Sequence, residues 1–373
     1  MKIVIAPDKF KDSLSAIEVC DNLVEGLSNI YSNFDFISCP MADGGEDSLE
    51  ILNYYLDLEP VELIVNDPLF RPVKSTYYVS NNTAFIEMSS ASGLVLLNPS
   101  DRNPMFTSSI GTGELIQDAI DKGFKNISLF IGGSATNDGA IGIAHALGYR
   151  FYDTLGNLLS PIGKNLIKID AIDSRRVKSN LKHFNIEVFC DVNNPMYGSE
   201  GASFIYAAQK GASPTEVKFL DEGLKNLVVK LNEHGYKNIS NIPGSGAAGG
   251  VGGGSIAFLD AKLVSGIDKI IEVVQLDKLI NNCDLIITGE GKLDSQTNRG
   301  KVISGVCRLA TKYKKPVIAV CGCEEKYISK KLGIRKVYTI IDKANSLEDS
   351  MNNAGEYLIE IGNEIFSFLT KKP

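Results

Sequence analysis

The 373-residue chain has no tryptophan and only three histidines. Each histidine sits in a helix-like or connecting segment without a second ligand type at metal spacing, so neither a histidine metal centre nor a histidine-activated nucleophile is expected. Seven cysteines, an odd number, are scattered through apolar segments, which fits reduced core thiols and argues against a disulfide framework. Cys321 and Cys323, one glycine apart, are too close and too isolated for zinc. No apolar run approaches the ~18 residues of a membrane span. The opening MKIVIAPDKF reads as a first buried strand and not as a signal peptide, so a cytoplasmic protein is expected. Basic charge is also short: 38 Lys and Arg against 45 Asp and Glu give a net charge of −7. Without a basic stripe to neutralise phosphates, a nucleic-acid partner is not expected.

What is present is an alternation of short apolar runs with helical periodicity. KIVIA at 2–6, DFISCP at 35–40, DLIITG at 284–289, VIAVCG at 317–322 and KVYTII at 336–341 predict strands of a mostly parallel α/β sheet. Ser15 with Glu18, and Ser213 with Pro214 and Glu216, are capping signatures of two helices. Between the chain ends, VELIVND, VKSTYYVS and TAFIEM at roughly 61–88 follow one another too quickly for crossovers, which predicts antiparallel pairing. The length suits two domains. The expected arrangement is a Rossmann-like parallel-sheet domain from residues 1–75 and 266–373, with an inserted mixed-sheet α/β domain at 76–265 and the active site in the cleft between them.

The chemistry-bearing residues follow strand-like runs. PDKFKDSLS crowds Asp8, Lys9, Lys11 and Ser13 ahead of a helix; MADGGEDS offers Asp43 and Glu46 around two glycines. Acids at a helix start would spoil an anion site, so they point to a cation, Mg²⁺, or to hydroxyl groups. IGGSATNDGA brings Ser134, Thr136, Asn137 and Asp138 after Gly132 and Gly133; CDVNNPMYG brings Asp191, Asn193 and Asn194; ITGEGKLDSQTNRGK brings Glu290, Asp294, Gln296, Thr297 and Lys301. The glycine-dense PGSGAAGGVGGGSIAF at 243–258 matches neither a P-loop nor a clean dinucleotide fingerprint. Consecutive glycine amides ahead of a helix nonetheless suit phosphate oxygens, the alternative being a hinge or tight packing. Together these features suggest an enzyme that handles a phosphorylated or phosphorylatable small molecule with a divalent metal.

IAPDKFKDSLSA, ADGGED, GTGELI, IGGSATNDGA, CDVNNPMYG, AAQKGA, GSGAAGGVGGG and ITGEGKLDSQTNRGK, in that order, resemble the type I family of bacterial glycerate kinases. The resemblance implies a two-domain α/β kinase transferring the γ-phosphoryl of ATP to D-glycerate, commonly at the 2-hydroxyl. The chain departs from the family pattern at Asp12, where glycine is frequent, and at Asp47 and Ser48, where glycine and threonine are frequent.

On that reading the hydroxyl of glycerate attacks ATP in line, with Mg²⁺ on the phosphates and no phosphoenzyme. Asp191 is the first choice of base and Asp8 the second; Asp191 capping its own turn is the alternative. The metal carboxylates are Glu290 and Asp294, or Asp43 and Glu46. Lys9, Lys11 and Lys301 would neutralise the phosphoryl group or the carboxylate of glycerate, and Arg71 is a further carboxylate candidate. Ser134, Thr136, Asn137, Asp138, Asn193 and Asn194 fall to the substrate. Gly244, Gly246, Gly249, Gly250 and Gly252, with Gly289 and Gly291, fall to the nucleotide. The expected partners are D-glycerate and ATP, with no nucleic acid and no membrane, and a homodimer is the oligomer considered. The rivals are transfer to the 3-hydroxyl, a non-catalytic sugar-acid sensor on the same fold, and a dinucleotide-dependent dehydrogenase, which lacks its glycine fingerprint after the first strand.

Overall fold

A computed structural model describes residues 1–30, 33–45, 48–177, 181–294, 301–325 and 328–370. Among them thirteen strands follow in chain order: β1 (Lys2–Pro7), β2 (Asp35–Ser38), β3 (Glu59–Asn66), β4 (Pro72–Ser80), β5 (Thr83–Glu87), β6 (Asn126–Phe130), β7 (Arg150–Tyr152), β8 (Ala171–Asp173), β9 (Asn185–Phe189), β10 (Lys262–Val264), β11 (Leu285–Leu293), β12 (Val317–Glu324) and β13 (Lys336–Thr339). Contacts divide the chain into two units: residues 1–43, 50–55 and 265 onward, and residues 44–49 with 56–264.

The first unit holds a five-stranded sheet in the order β13-β12-β11-β1-β2, parallel throughout. Its strands are the five apolar runs expected from the two ends of the sequence, and Ile3, Ile5, Leu285, Ile287, Ile318 and Val320 form the core. Counted within the unit the order is 2-1-3-4-5, a doubly wound sheet whose direction of winding reverses between β1 and β11. Ligands of such sheets sit beyond the carboxyl ends of the strands at that reversal. The helix Ala16–Ser28 begins with the expected capping box, the Ser15 hydroxyl accepting from the Glu18 amide at 3.3 Å while a Glu18 carboxylate oxygen accepts from the Ser15 amide at 2.8 Å. Two orphan donors are thereby satisfied at the helix start.

The second unit holds a mixed six-stranded sheet, β10-β9-β6-β5-β4-β3. β3, β4 and β5 pair antiparallel, as the quick succession of strand-like runs implied; β5, β6, β9 and β10 run parallel. Because β3 pairs with β4 over its whole length, the chain enters this unit ahead of β3, whereas the boundary expected after residue 75 falls inside β4. The helix Pro214–Glu233 opens on the Ser213 and Glu216 box with Pro214 in its first turn. Its Leu224, Leu227 and Leu231 enter a core built on Leu129, Ile186 and Val188. All seven cysteines are free thiols and five are buried. Among the described residues no helix is long and apolar enough to cross a membrane.

Candidate active site

Two clusters of polar groups form, one in each unit. In the first, the ladder between β1 and β11 continues one residue past β1, the Asp8 amide donating to the Gly289 carbonyl at 2.8 Å. That pairing sets Asp8 beside Glu290 at the winding reversal. Around them lies a pocket of about 400 Å³ lined by four lysines, Lys9, Lys11, Lys292 and Lys301, and three carboxylates, Asp8, Asp43 and Glu290. Cys323, Ile340, Leu347 and Met351 give it an apolar side.

The Asp8 carboxyl titrates well above the usual aspartate range. Burial is the first cause, followed by the negative field of Asp43, with that of Glu290 adding to it; the Lys9 amide, which donates to Oδ1 at 2.8 Å, works the other way. Glu290 is 4 % exposed and lies 3.2 Å from the ammonium of Lys301. Lys11 is exposed. Asp294 does not line the pocket and pairs with Lys292 at 3.7 Å. Glu46, Asp47, Gln296 and Thr297 lie outside the described residues.

Asp12 has φ of 60° in the tight turn that joins Phe10 to Leu14. The left-handed region favours glycine and tolerates aspartate, which accounts physically for a position where glycine is frequent. Its side chain is exposed. The Ser48 hydroxyl, buried, donates to the Gly45 carbonyl at 2.9 Å.

In the second unit the SATND loop leaves the carboxyl end of β6, and Asp191, Asn193 and Asn194 leave the carboxyl end of the adjacent parallel strand β9. The glycine-rich segment bonds to both: Gly139 N–H donates to the Gly249 carbonyl and Gly246 N–H to the Asn194 carbonyl, each at 3.0 Å. Three sequence motifs thus come together. Ala248, Gly249 and Gly250 take positive φ, after which the chain enters a buried helical run ending at Leu259. Gly244, Gly246, Gly249, Gly250 and Gly252 are all buried and packed against the protein's own chain, Gly246 on the Pro195 carbonyl and Gly249 on the Thr136 carbonyl. This is the tight-packing alternative in physical form. Gly289, inside β11, packs on the Val320 carbonyl, while Gly291 lines the pocket.

Much of the SATND loop is hydrogen-bonded to other segments of its own unit. Asp138, fully buried, accepts from the Ser109 amide at 2.7 Å and hydroxyl at 2.8 Å, and from the Ala140 and Gly142 amides at 3.2 Å. Burial raises its pKa and those four hydrogen bonds oppose the rise. Asn137 is paired with the Ser203 hydroxyl at 3.1 Å. Ser134 accepts a hydrogen bond from Lys210, and the Thr136 hydroxyl is buried without a hydrogen-bond partner among the described residues.

Asn194 donates to the Glu200 carbonyl and accepts from the Tyr206 hydroxyl at 2.6 Å. Asp191 is half-buried and Asn193 exposed. The Arg71 guanidinium is engaged by carboxylates, 2.6 Å from Asp67 in its own turn and 3.4 Å from Asp101 in the turn Pro99–Asp101. Two buried groups were passed over in the sequence. Lys210 stands in AAQKGA, a motif that carried the resemblance but no assigned role, and Ser109 carries no local signal.

The model of the glycerate kinase family matches residues 3–370. The chain belongs to that family. The glycerate kinase of Bacillus cereus is 42% identical over 360 residues, covering 95% of this chain and 94% of that one. The glycerate 2-kinase of Escherichia coli is 39% identical over 373 residues, covering 99% and 98%. A crystal structure of a Salmonella typhimurium LT2 protein, described provisionally as glycerate kinase 2, superposes with a TM-score of 0.85 at 39% identity, covering 99% of this chain and 98% of that one. Family membership makes the protein a kinase.

Proposed function

We propose that the protein phosphorylates D-glycerate from ATP, at the 2-hydroxyl, giving 2-phospho-D-glycerate and ADP. The observation that carries the reading is the first unit's pocket, where three carboxylates and four lysines gather at the winding reversal of a parallel sheet. Phosphoryl transfer needs cations on the phosphates and a carboxylate for the attacking hydroxyl, and little other covalent machinery. Lys9, Lys11 and Lys301 are suited to the phosphate oxygens. Choice of the 2-hydroxyl is supported by the relative named glycerate 2-kinase, 39% identical from end to end.

Among the described residues no three His, Cys, Asp or Glu side chains converge as a metal cage. Mg²⁺ does not need one, since it takes one or two carboxylates with phosphate oxygens and water. The oxygen donors of Asp43 and Glu290 fit that demand and would hold the ion. When bound, it neutralises charge on the phosphates.

Asp8 suits the role of base. Its carboxylate lines the pocket beside the lysines suited to the phosphates, so it would take the hydroxyl proton as the oxygen attacks phosphorus. Asp191, half-buried beyond β9, is the competing base, and Asp8→Asn and Asp191→Asn assayed side by side decide between them.

Phosphorus NMR of the folded protein with Mg²⁺, ATP and D-glycerate, against a control without glycerate, tests the whole reading. A glycerate-dependent monoester resonance split by a single carbon-bound proton is the expected result, whereas splitting by two protons would mean the 3-phosphate. Unchanged ATP would overturn the kinase reading for this acceptor.

A further inference from the structure

The pocket of the first unit is graded along its sheet. On one side Asp43 follows β2, Asp8 and Lys9 follow β1, and Glu290 and Lys292 stand at the end of β11. On the other side Cys323 stands at the end of β12, Ile340 follows β13, and Leu347 and Met351 come from the short helix Leu347–Asn352 beyond it. Among the described residues none that lines this second side is charged. Because the strand order is β13-β12-β11-β1-β2, the change from apolar to charged lining follows the carboxyl edge of one sheet.

Leu347 is 67 % exposed and Met351 36 %. They stand four residues apart, on one face of their helix. A single surface leucine needs no explanation, whereas two large apolar side chains on one face, lining a pocket that is charged at its other end, form a patch of the kind that marks a ligand. The hydroxyls nearby are spent on this wall: Ser350 donates to the Leu347 carbonyl at 2.6 Å and Ser13 to the Met351 carbonyl at 2.7 Å. The second bond also fastens the loop that carries Lys9 and Lys11 to the apolar wall.

From β13 to β1 is three strand spacings, about 14 Å. Glycerate, a three-carbon acid, has neither the reach nor the apolar body for such a span, whereas a nucleoside triphosphate carries an aromatic base at one end and its charges at the other. We propose that ATP lies along the carboxyl edge of this sheet in one direction, with its base packed on Leu347, Met351 and Cys323 at the β12–β13 end and its phosphates running toward β11 and β1, so that the γ-phosphate meets the lysines beside Asp8. The inference rests on the kinase reading and adds to it the subsite of the base and the direction of the nucleotide. Aliphatic carbon and polarisable sulfur make favourable contacts with an aromatic ring.

Cys323 serves as the reporter in the test. The folded protein is alkylated with iodoacetamide alone, with ADP and Mg²⁺, with tripolyphosphate and Mg²⁺, and with D-glycerate, and the rate at Cys323 is read by peptide mass spectrometry against Cys190, the half-buried thiol of the second unit. ADP should slow Cys323 several-fold and leave Cys190 unchanged, while tripolyphosphate and glycerate, which carry no base, should slow neither. Calorimetry on Leu347→Ala and Met351→Ala, both at exposed positions, should show the Kd for ADP raised roughly three- to thirtyfold by the lost apolar cover and the Kd for tripolyphosphate unchanged. These titrations decide the question if Cys323 does not react. Equal protection by tripolyphosphate or glycerate, no protection by ADP, or wild-type affinity for ADP in both variants would overturn the proposal. A protein in which ADP protects Cys323 but which makes no phosphoglycerate keeps the base subsite and loses the acceptor reading. One that phosphorylates glycerate while ADP leaves Cys323 unprotected keeps the kinase reading and loses the subsite.

Discussion

Gly249 is where the two readings of the glycine-rich segment part. It has φ of 69°, and a Cβ placed there would lie 2.1 Å from the Thr136 carbonyl oxygen and 2.6 Å from the Asn137 Cα. Both are backbone atoms of the SATND loop, so no side chain can swing away. Gly249→Ala combines a left-handed backbone for a residue with a Cβ, roughly 1–2 kcal/mol, with overpacking of roughly 1–3 kcal/mol. The expected loss is about 2–5 kcal/mol, a large part of the ~5–15 kcal/mol that holds a typical protein folded. Gly123 supplies the control, since it has φ of 94° and a Cβ added to it would meet nothing within 4 Å, so Gly123→Ala should lose only the backbone part. Urea unfolding followed by circular dichroism compares the two variants with wild type, each transition first checked for two-state behaviour. A Gly249→Ala protein no less stable than Gly123→Ala, but with a much raised KM for ATP, would refute the packing argument and return the segment to the phosphates.

Other outcomes follow from the same structure. Asp8→Asn should keep the fold and lower kcat by about 10²–10⁴-fold if Asp8 is the base, measured as glycerate-dependent ADP release; near wild-type kcat would remove it from that role. Lys301→Met removes a pocket ammonium that lies 3.2 Å from Glu290, so the KM for ATP should rise, and an unchanged KM in a titration at saturating glycerate would place Lys301 outside the phosphate site. Asp12→Gly relieves a left-handed aspartate in an exposed turn and should raise the thermal midpoint by the equivalent of no more than about 1 kcal/mol; a lowered midpoint would contradict this. Because Lys210 has a folded-state pKa of about 7, below the ~10.4 of a free lysine, the unfolded chain holds the proton more tightly between those values. Wild type should therefore gain stability relative to Lys210→Met as pH rises from 7 to 10, and a constant difference in chemical denaturation would contradict the burial argument.

The sequence by itself determined the parallel sheet at the chain ends, the antiparallel run in between, both capping boxes and the family. These are local patterns or ordered motifs, and apolar periodicity and cap chemistry act over a few residues. It also marked Asp8, Lys9, Lys11, Asp43 and Glu290 as chemistry-bearing groups, because each follows a strand-like run. That they share one pocket is a tertiary result: the pairing of β1 with β11 joins segments some 280 residues apart, and burial, with the field of Asp43, drives up the pKa of Asp8. The same holds for the glycines at 244–254, whose amides suit phosphate when viewed alone, while the close approach of the Thr136 and Pro195 carbonyls shows what their missing side chains make room for. Lys210 was hidden for a related reason. A lysine in a short polar motif looks like a surface charge until the loop after β6 folds over it, and only the folded chain shows a buried ammonium bonded to Ser134 and Thr136.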